Sequence, residues 1–256
     1  MSPLFPLPPV YPILDAGRFS QSAAPLASVV NFALELVGGG ASLIQYRNKS
    51  GDARTMLSHA RELRRAIGSR AVLMMNDRVD LCVAAGFDGV HLGQDDLSPI
   101  AARRILQAVA QSDGNDGSGD AGQVKVSEEQ AAEGKQEEDG KQEGEGKRSA
   151  SRSPLWVGFS THNVEQVREA DRMPVDYIAI GPVFATGSKA NPDPVVGLEG
   201  VREARRATAK PLVAIGGITR LNCRQVLESG ANSVAVIADL VQSPRKTVEE
   251  FLSILR

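Results

Sequence analysis

The sequence predicts a single-domain (β/α)8 TIM barrel, residues 1–256, interrupted once by an acidic insertion at 112–153. Three observations carry this prediction. Eight short β-rich runs alternate with amphipathic stretches. Most runs are almost continuously apolar, as buried parallel strands are. The length of 256 residues exceeds the usual single core, and the excess is concentrated in that one segment. Counting strands does not show closure, so an open doubly wound sheet is the alternative.

The chain opens with MSPLFPLPPVYP, which is apolar but proline-rich and lacks the basic start of a signal peptide. No apolar run approaches the ~20 residues of a membrane-spanning helix. The expected strands are Val10–Asp15, Ser42–Arg47, Ala71–Asn76, Gly89–Leu92, Leu155–Ser160, Tyr177–Ile180, Pro211–Ile215 and Ser233–Ala238. Between the second and third, Met56, Ala60, Leu63 and Ile67 share one helical face, and Gly68 ends that helix. His59 falls mid-helix and is expected on the surface. A helix at Asp80–Ala85 stops at Gly86, and one at Asn222–Ser229 stops at Gly230.

After a helix around Ile100–Ala110 comes Ser112–Ser153, which has no Leu, Ile, Phe, Trp, Tyr or Met. It holds 11 of the chain's 31 Asp/Glu and 6 of its 29 Lys/Arg, together with 8 Gly. So little apolar surface cannot offset the entropy of ordering, which predicts a disordered insertion between the fourth helix and the fifth strand. In a barrel that connection lies on the face opposite the catalytic one. The net charge of −2 argues against non-specific nucleic-acid binding. Cys82 and Cys223 sit in apolar segments without C-x-x-C spacing, as reduced thiols of a cytoplasmic protein do.

Residues just past the strand ends face a common pocket. Strand two ends in Gln45-Tyr46-Arg47-Asn48-Lys49, and alternation sends Gln45, Arg47 and Lys49 to one side. Asp77 and Asp96 end neighbouring strands. Either alone is equally well read as a helix cap; together they suit Mg²⁺ carrying a phosphorylated substrate. Arg47, Lys49 and Lys189 suit a diphosphate. Gly216-Gly217 and Ile237-Ala238 match the phosphate site of barrels. His91 reads as a satisfied barrel side chain and His162 as structural or orienting, leaving no evident general base. A reaction driven by leaving-group departure fits better than proton abstraction.

The motifs QYRNK, NDRVDL, GVHLGQDDL, GFSTHN, GPVFATGSK, GLEGV and AIGGI, in this order, resemble thiamine-phosphate synthase. The likeness spans residues 10–241 apart from the insertion. It implies a transferase (EC 2.5.1.3) of thiamine diphosphate biosynthesis. Such an enzyme joins 4-amino-5-hydroxymethyl-2-methylpyrimidine diphosphate to 4-methyl-5-(2-phosphoethyl)thiazole (carboxylated thiazole phosphate) by a dissociative carbocation route. Carried over by motif, Gln45, Tyr46, Arg47, Asn48, Lys49, Asn76, Ser160 and Lys189 contact the pyrimidine diphosphate, with Lys189, Arg47 and Ser160 catalytic. Asp77 and Asp96 hold one Mg²⁺ per subunit, and Thr186, Gly187, Ser188, Gly217, Ile237 and Ala238 bind the thiazole phosphate.

The family often has Gln or Thr where Gly187 and Ser188 stand, and Ser where Ala238 stands. A thiazole tautomerase or a ligand-sensing barrel is the alternative; the survival of Asp77, Asp96, Arg47 and Lys189 counts against both. The partners expected are small phosphorylated substrates, with no nucleic acid and no membrane. Oligomeric state stays open, a homo-oligomer being one outcome.

Overall fold

The computed structural model describes residues 7–115, 155–187 and 193–256, with side chains of the fourth helix up to Gln111. The fourth helix runs on to Asn115, so residues 112–115 of the expected disordered insertion, 112–153, are helical, an amphipathic helix having continued past its last apolar turn. Residues 116–153 and the expected sites at Ser188 and Lys189 lie outside the described residues.

Eight parallel strands form a closed barrel in chain order. They are β1 (Val10–Asp15), β2 (Leu43–Arg47), β3 (Val72–Asn76), β4 (Gly89–Leu92), β5 (Trp156–Thr161), β6 (Tyr177–Ile180), β7 (Leu212–Ile215) and β8 (Ser233–Val236). The register Val10↔Val234 ties β1 back to β8, which excludes the open sheet. Helices α1 (Pro25–Gly38), α2 (Ala53–Ile67), α3 (Val79–Ala85), α4 (Pro99–Asn115), α5 (Val164–Asp171), α6 (Gly197–Ala207), α7 (Cys223–Glu228) and α8 (Pro244–Ile254) alternate with them. β8 ends two residues before its expected limit because Ala238 already begins a 3-10 turn, Ala238–Leu240.

Local chemistry explains the helix boundaries. Asp52 accepts a hydrogen bond from Thr55 N–H at 2.7 Å to start α2, and Gly68 ends it in the left-handed region. Ser98 Oγ accepts from Ala101 N–H at 3.3 Å at the start of α4.

Strand alternation builds two apolar layers. One lies between sheet and helices and includes Leu14, Ile44, Leu73, Val90, Val157, Ile178 and the α2 stripe. The other fills the barrel interior with Tyr11, Ile13, Leu43, Met74, Trp156, Tyr177 and Val213. His59 corrects the sequence expectation: it is buried, not surface-exposed, and its Nδ1 lies 3.0 Å from Tyr46 Oη. It sits one residue before Ala60 and thus borders the apolar face of the helix. Burial lowers its pKa.

A side-chain device recurs at the floor of the barrel, the end where strands begin. Asp88, one residue before β4, accepts from Leu73 N–H of β3 at 2.7 Å and from Arg64 of α2 at 2.5 Å. Asp176, one residue before β6, accepts from Val157 N–H of β5 at 2.7 Å and from Arg103 of α4 at 2.6 Å. Asn232, one residue before β8, accepts from Leu212 N–H of β7 at 2.8 Å and from Arg205 of α6 at 3.0 Å. In each, the same residue's own N–H donates to the carbonyl of that strand residue, at 2.9, 2.8 and 2.7 Å respectively. A carboxylate or amide oxygen thus satisfies a backbone N–H at the start of the strand, on its second residue in β3 and β5 and its first in β7, and ties a helix to it.

Candidate active site

At the opposite end of the barrel, where the strands finish, lies a cavity of about 560 Å³. Closed parallel barrels place their sites at this face, since every strand there feeds a loop into one mouth.

The arc from β1 to β4 supplies charge. Gln45, Arg47 and Lys49 line the cavity, as strand alternation predicts. Arg47 Nη1 donates to Asp15 Oδ2 at 2.6 Å, and both side chains are largely enclosed. Asp15 ends β1 and was not foreseen, although its place at a strand end was a sufficient signal.

Lys49 Nζ makes a short ion pair with Asp77 Oδ2. Asp77 is in the left-handed region, φ 64°, which is unusual outside glycine. Burial raises its carboxyl pKa; Lys49 opposes this, and Asp96, close enough to hydrogen-bond, adds to it. Neither aspartate caps a helix. Arg78 occupies the N-cap of α3, and Asp96 Oδ2 accepts from Gly93 N–H at 2.6 Å within its own turn.

The opposite arc, β6 to β8, supplies backbone. Gly216 and Gly217 have φ of 101° and 63°. A Cβ on Gly217 would lie 2.6 Å from Ala185 O, so this turn packs directly against the loop after β6. Thr186, Gly217, Ile237 and Ala238 all border the cavity. The 3-10 turn at Ala238–Leu240 begins there, leaving its first N–H groups without intrahelical acceptors.

Between the arcs, Asn76 and Ser160 reach the cavity from β3 and β5. Below Ser160 a hydrogen-bonded chain crosses the interior. Gln45 Nε2 donates to Tyr11 Oη at 3.0 Å, and Tyr11 Oη lies 3.1 Å from Tyr177 Oη. Tyr177 Oη lies 2.9 Å from His91 Nδ1, and His91 Nε2 lies 2.8 Å from Ser160 Oγ. Burial holds both tyrosine pKa values above the ordinary range and lowers that of His91 to about 4. Gly158 makes room for this chain, because a Cβ there would lie 2.1 Å from Tyr177 Cζ. His162 orients the rim: its Nδ1 lies 2.8 Å from Gly181 O and 3.5 Å from Asp193.

Three expected contacts are not at the cavity. Tyr46 is fully buried on the outer face of β2 against His59, with its hydroxyl pKa pushed up to about 12 by burial. Asn48 turns away as well, with its Oδ1 accepting from Gly51 N–H at 2.8 Å. Gly187 is exposed and does not border the cavity.

A family model described as thiamine monophosphate synthase matches residues 10–116 and 123–240. The thiamine-phosphate synthase of Koribacter versatilis is 49% identical over 249 residues, covering 97% of this chain and 96% of its own. That of Albidiferax ferrireducens is 33% identical over 228 residues, covering 89% and 82%. Among solved structures, a thiamine phosphate pyrophosphorylase from Pyrococcus furiosus superimposes with a TM-score of 0.69 at 26% identity, covering 96% and 95%. The matches run through both halves of the barrel and include the strand ends that wall the cavity. The chain belongs to the thiamine monophosphate synthase family and is a transferase of thiamine biosynthesis.

Proposed function

We propose that the cavity joins 4-amino-5-hydroxymethyl-2-methylpyrimidine diphosphate to a thiazole phosphate, forming thiamine phosphate and diphosphate. The observation that carries this reading is the division of the mouth. Charged side chains Arg47, Lys49, Asp77 and Asp96 stand on one arc, and the backbone turns at Gly217 and Ala238 stand on the other. Two anionic substrates thereby meet two different kinds of anion site.

Gln45, Arg47, Lys49, Asn76 and Ser160 hold the pyrimidine diphosphate in this reading, and Lys189 joins them from outside the described residues. Thr186, Gly217, Ile237 and Ala238 hold the thiazole phosphate.

Asp77 and Asp96 fit Mg²⁺. Both are hard oxygen donors, and the Asp77 carboxyl pKa is raised by burial first and by the nearby Asp96 as well, so a bound cation would offset the cost of holding both carboxylates ionised. Bound there, Mg²⁺ would neutralise charge on the diphosphate.

The bond that breaks is the methylene C–O bond, with its electron pair leaving on diphosphate. The pyrimidine carries the resulting cation until the thiazole nitrogen donates its lone pair to form the C–N bond. Nothing in that sequence needs a strong base, in keeping with a His91 engaged at both ring nitrogens. Arg47 and Lys49 stabilise the charge that develops on the leaving group, and the two arcs align the reactants. Among the described residues no helix is long and apolar enough to cross a membrane. Cytoplasmic residence is supported by two buried, unbridged cysteines, Cys82 and Cys223.

The test is incubation with both substrates and Mg²⁺, with assay of thiamine phosphate and released diphosphate. Formation of both is expected, with Asp77→Ala lowering turnover roughly 100-fold or more while the far-UV spectrum is kept. Absence of product with the wild-type protein overturns the substrate assignment. Near-normal turnover in Asp77→Ala overturns the metal assignment.

A further inference from the structure

The polar chain inside the barrel has a direction, and its hydrogen bonding fixes it. Gln45 presents its amide nitrogen to Tyr11 Oη, and an amide nitrogen only donates. The single Tyr11 proton must therefore go to the other polar atom in reach, Tyr177 Oη. Tyr177, having accepted, gives its own proton to His91 Nδ1. A neutral imidazole that accepts at Nδ1 carries its hydrogen on Nε2 and donates it to Ser160 Oγ. Run the other way, the chain would leave the buried Tyr11 proton facing amide hydrogens.

We propose that Tyr11, Tyr177 and His91 form a buried positioning relay that fixes the Ser160 hydroxyl as a hydrogen-bond donor into the cavity. Because His91 Nε2–H points at Ser160 Oγ, the Ser160 hydrogen is not spent on His91 and is free to turn outward, toward an acceptor atom of the pyrimidine diphosphate. The geometry supports a rigid arrangement. The His91 and Tyr177 rings stack at 5.6 Å with 21° between planes, Tyr11 meets Tyr177 edge-on at 6.1 Å, and all three side chains are buried. Gly158 leaves the space that lets this stack form. Burial also keeps the ring neutral, with its pKa lowered to about 4. None of the three touches substrate in this account; they act through Ser160. The identity of the acceptor rests on the proposed function, whereas the direction of the relay does not.

The relay is tested in two ways. In ¹⁵N-histidine-labelled wild-type protein, NMR should show His91 protonated at Nε2 and bare at Nδ1; the opposite tautomer overturns the proposal, whether or not the substrates are the ones proposed. Kinetically, Tyr177→Phe and Ser160→Ala should each lower kcat roughly tenfold. The double variant should fall no more than about twofold below Ser160→Ala, because the relay has no other outlet. His91→Gln, which can accept from Tyr177 and donate to Ser160 through one amide, should recover part of what His91→Ala loses. Independent, multiplicative losses in the double variant overturn the relay, as does unchanged kcat in Tyr177→Phe. Should Tyr177→Phe fail to fold, the tautomer measurement decides.

Discussion

Arg47 shows how a single neighbour decides what a cation can do. Its guanidinium lines the cavity, yet Asp15 holds it at 2.6 Å, which cancels part of the attraction for an anionic substrate. Two effects therefore oppose each other in Asp15→Ala. The variant strengthens the field at the mouth, but it frees a long side chain from its one fixed orientation. In a largely enclosed site orientation dominates, since displacement by about 1 Å can cost on the order of 100-fold. Asp15→Ala is expected to lower kcat/KM for the pyrimidine diphosphate by roughly 10- to 100-fold and to leave KM for the thiazole phosphate unchanged. Steady-state kinetics with each substrate varied in turn checks this, and a rise in kcat/KM would mean that the field dominates.

The same scale shows what could be read in advance. Strand alternation sends Gln45, Arg47 and Lys49 inward, and the cavity contains all three. That rule also sends Tyr46 and Asn48 outward. The resemblance transferred residues 45–49 as a block, and where the two disagreed the alternation was the better guide, because pleating is a property of the backbone.

Among the elements, the bounds of β1, β4 and β6 coincide with the sequence expectation, because the apolar runs of β4 and β6 lie between an Asp and a Gly, and that of β1 between Pro9 and Asp15. The floor device was not foreseen. Its signal is an Asp or Asn one residue before alternate strands, at Asp88, Asp176 and Asn232, and each looks like an ordinary turn residue when met singly. Only the closed barrel shows that each oxygen meets an N–H in the first two residues of the preceding strand.

The third unit uses an amide where the others use a carboxylate, so an acceptor oxygen at this place is sufficient and charge is not. Asp176→Ala should therefore destabilise the protein by about 1–3 kcal/mol through the stranded Val157 N–H and Arg103, whereas Asp176→Asn should cost less than about 1 kcal/mol. Urea denaturation of both variants checks the pair. Equal losses would show that the charge of the Arg103 pair, rather than the acceptor, stabilises the floor.

At the scale of the molecule, the closed barrel joins two parts of the sequence that the acidic stretch separates. Gln45, Arg47, Lys49, Asp77 and Asp96 come before it, and Ser160, Thr186, Gly217 and Ala238 come after it, yet all border one cavity. The described residues on either side of the stretch lie toward the end of the barrel opposite that cavity. α4 starts at the mouth, after β4, and runs back along the barrel. By Arg103 it has come within side-chain reach of the floor, since Arg103 Nη1 donates to Leu155 O at 2.7 Å, next to the start of β5. The helix then continues to Asn115, about 18 Å of further helix leading away from the mouth. The chain re-enters at Leu155, also at the floor. Removing Ser112–Ser153 shortens α4 by one turn and leaves every cavity residue, and the Arg103–Asp176 tie, in place. The deletion variant is thus expected to keep kcat and both KM values within about a factor of two, because loop length on this face is only weakly coupled to the mouth. A tenfold fall in turnover, with folding intact by circular dichroism, would mean that the stretch reaches over the rim and acts on the cavity from outside.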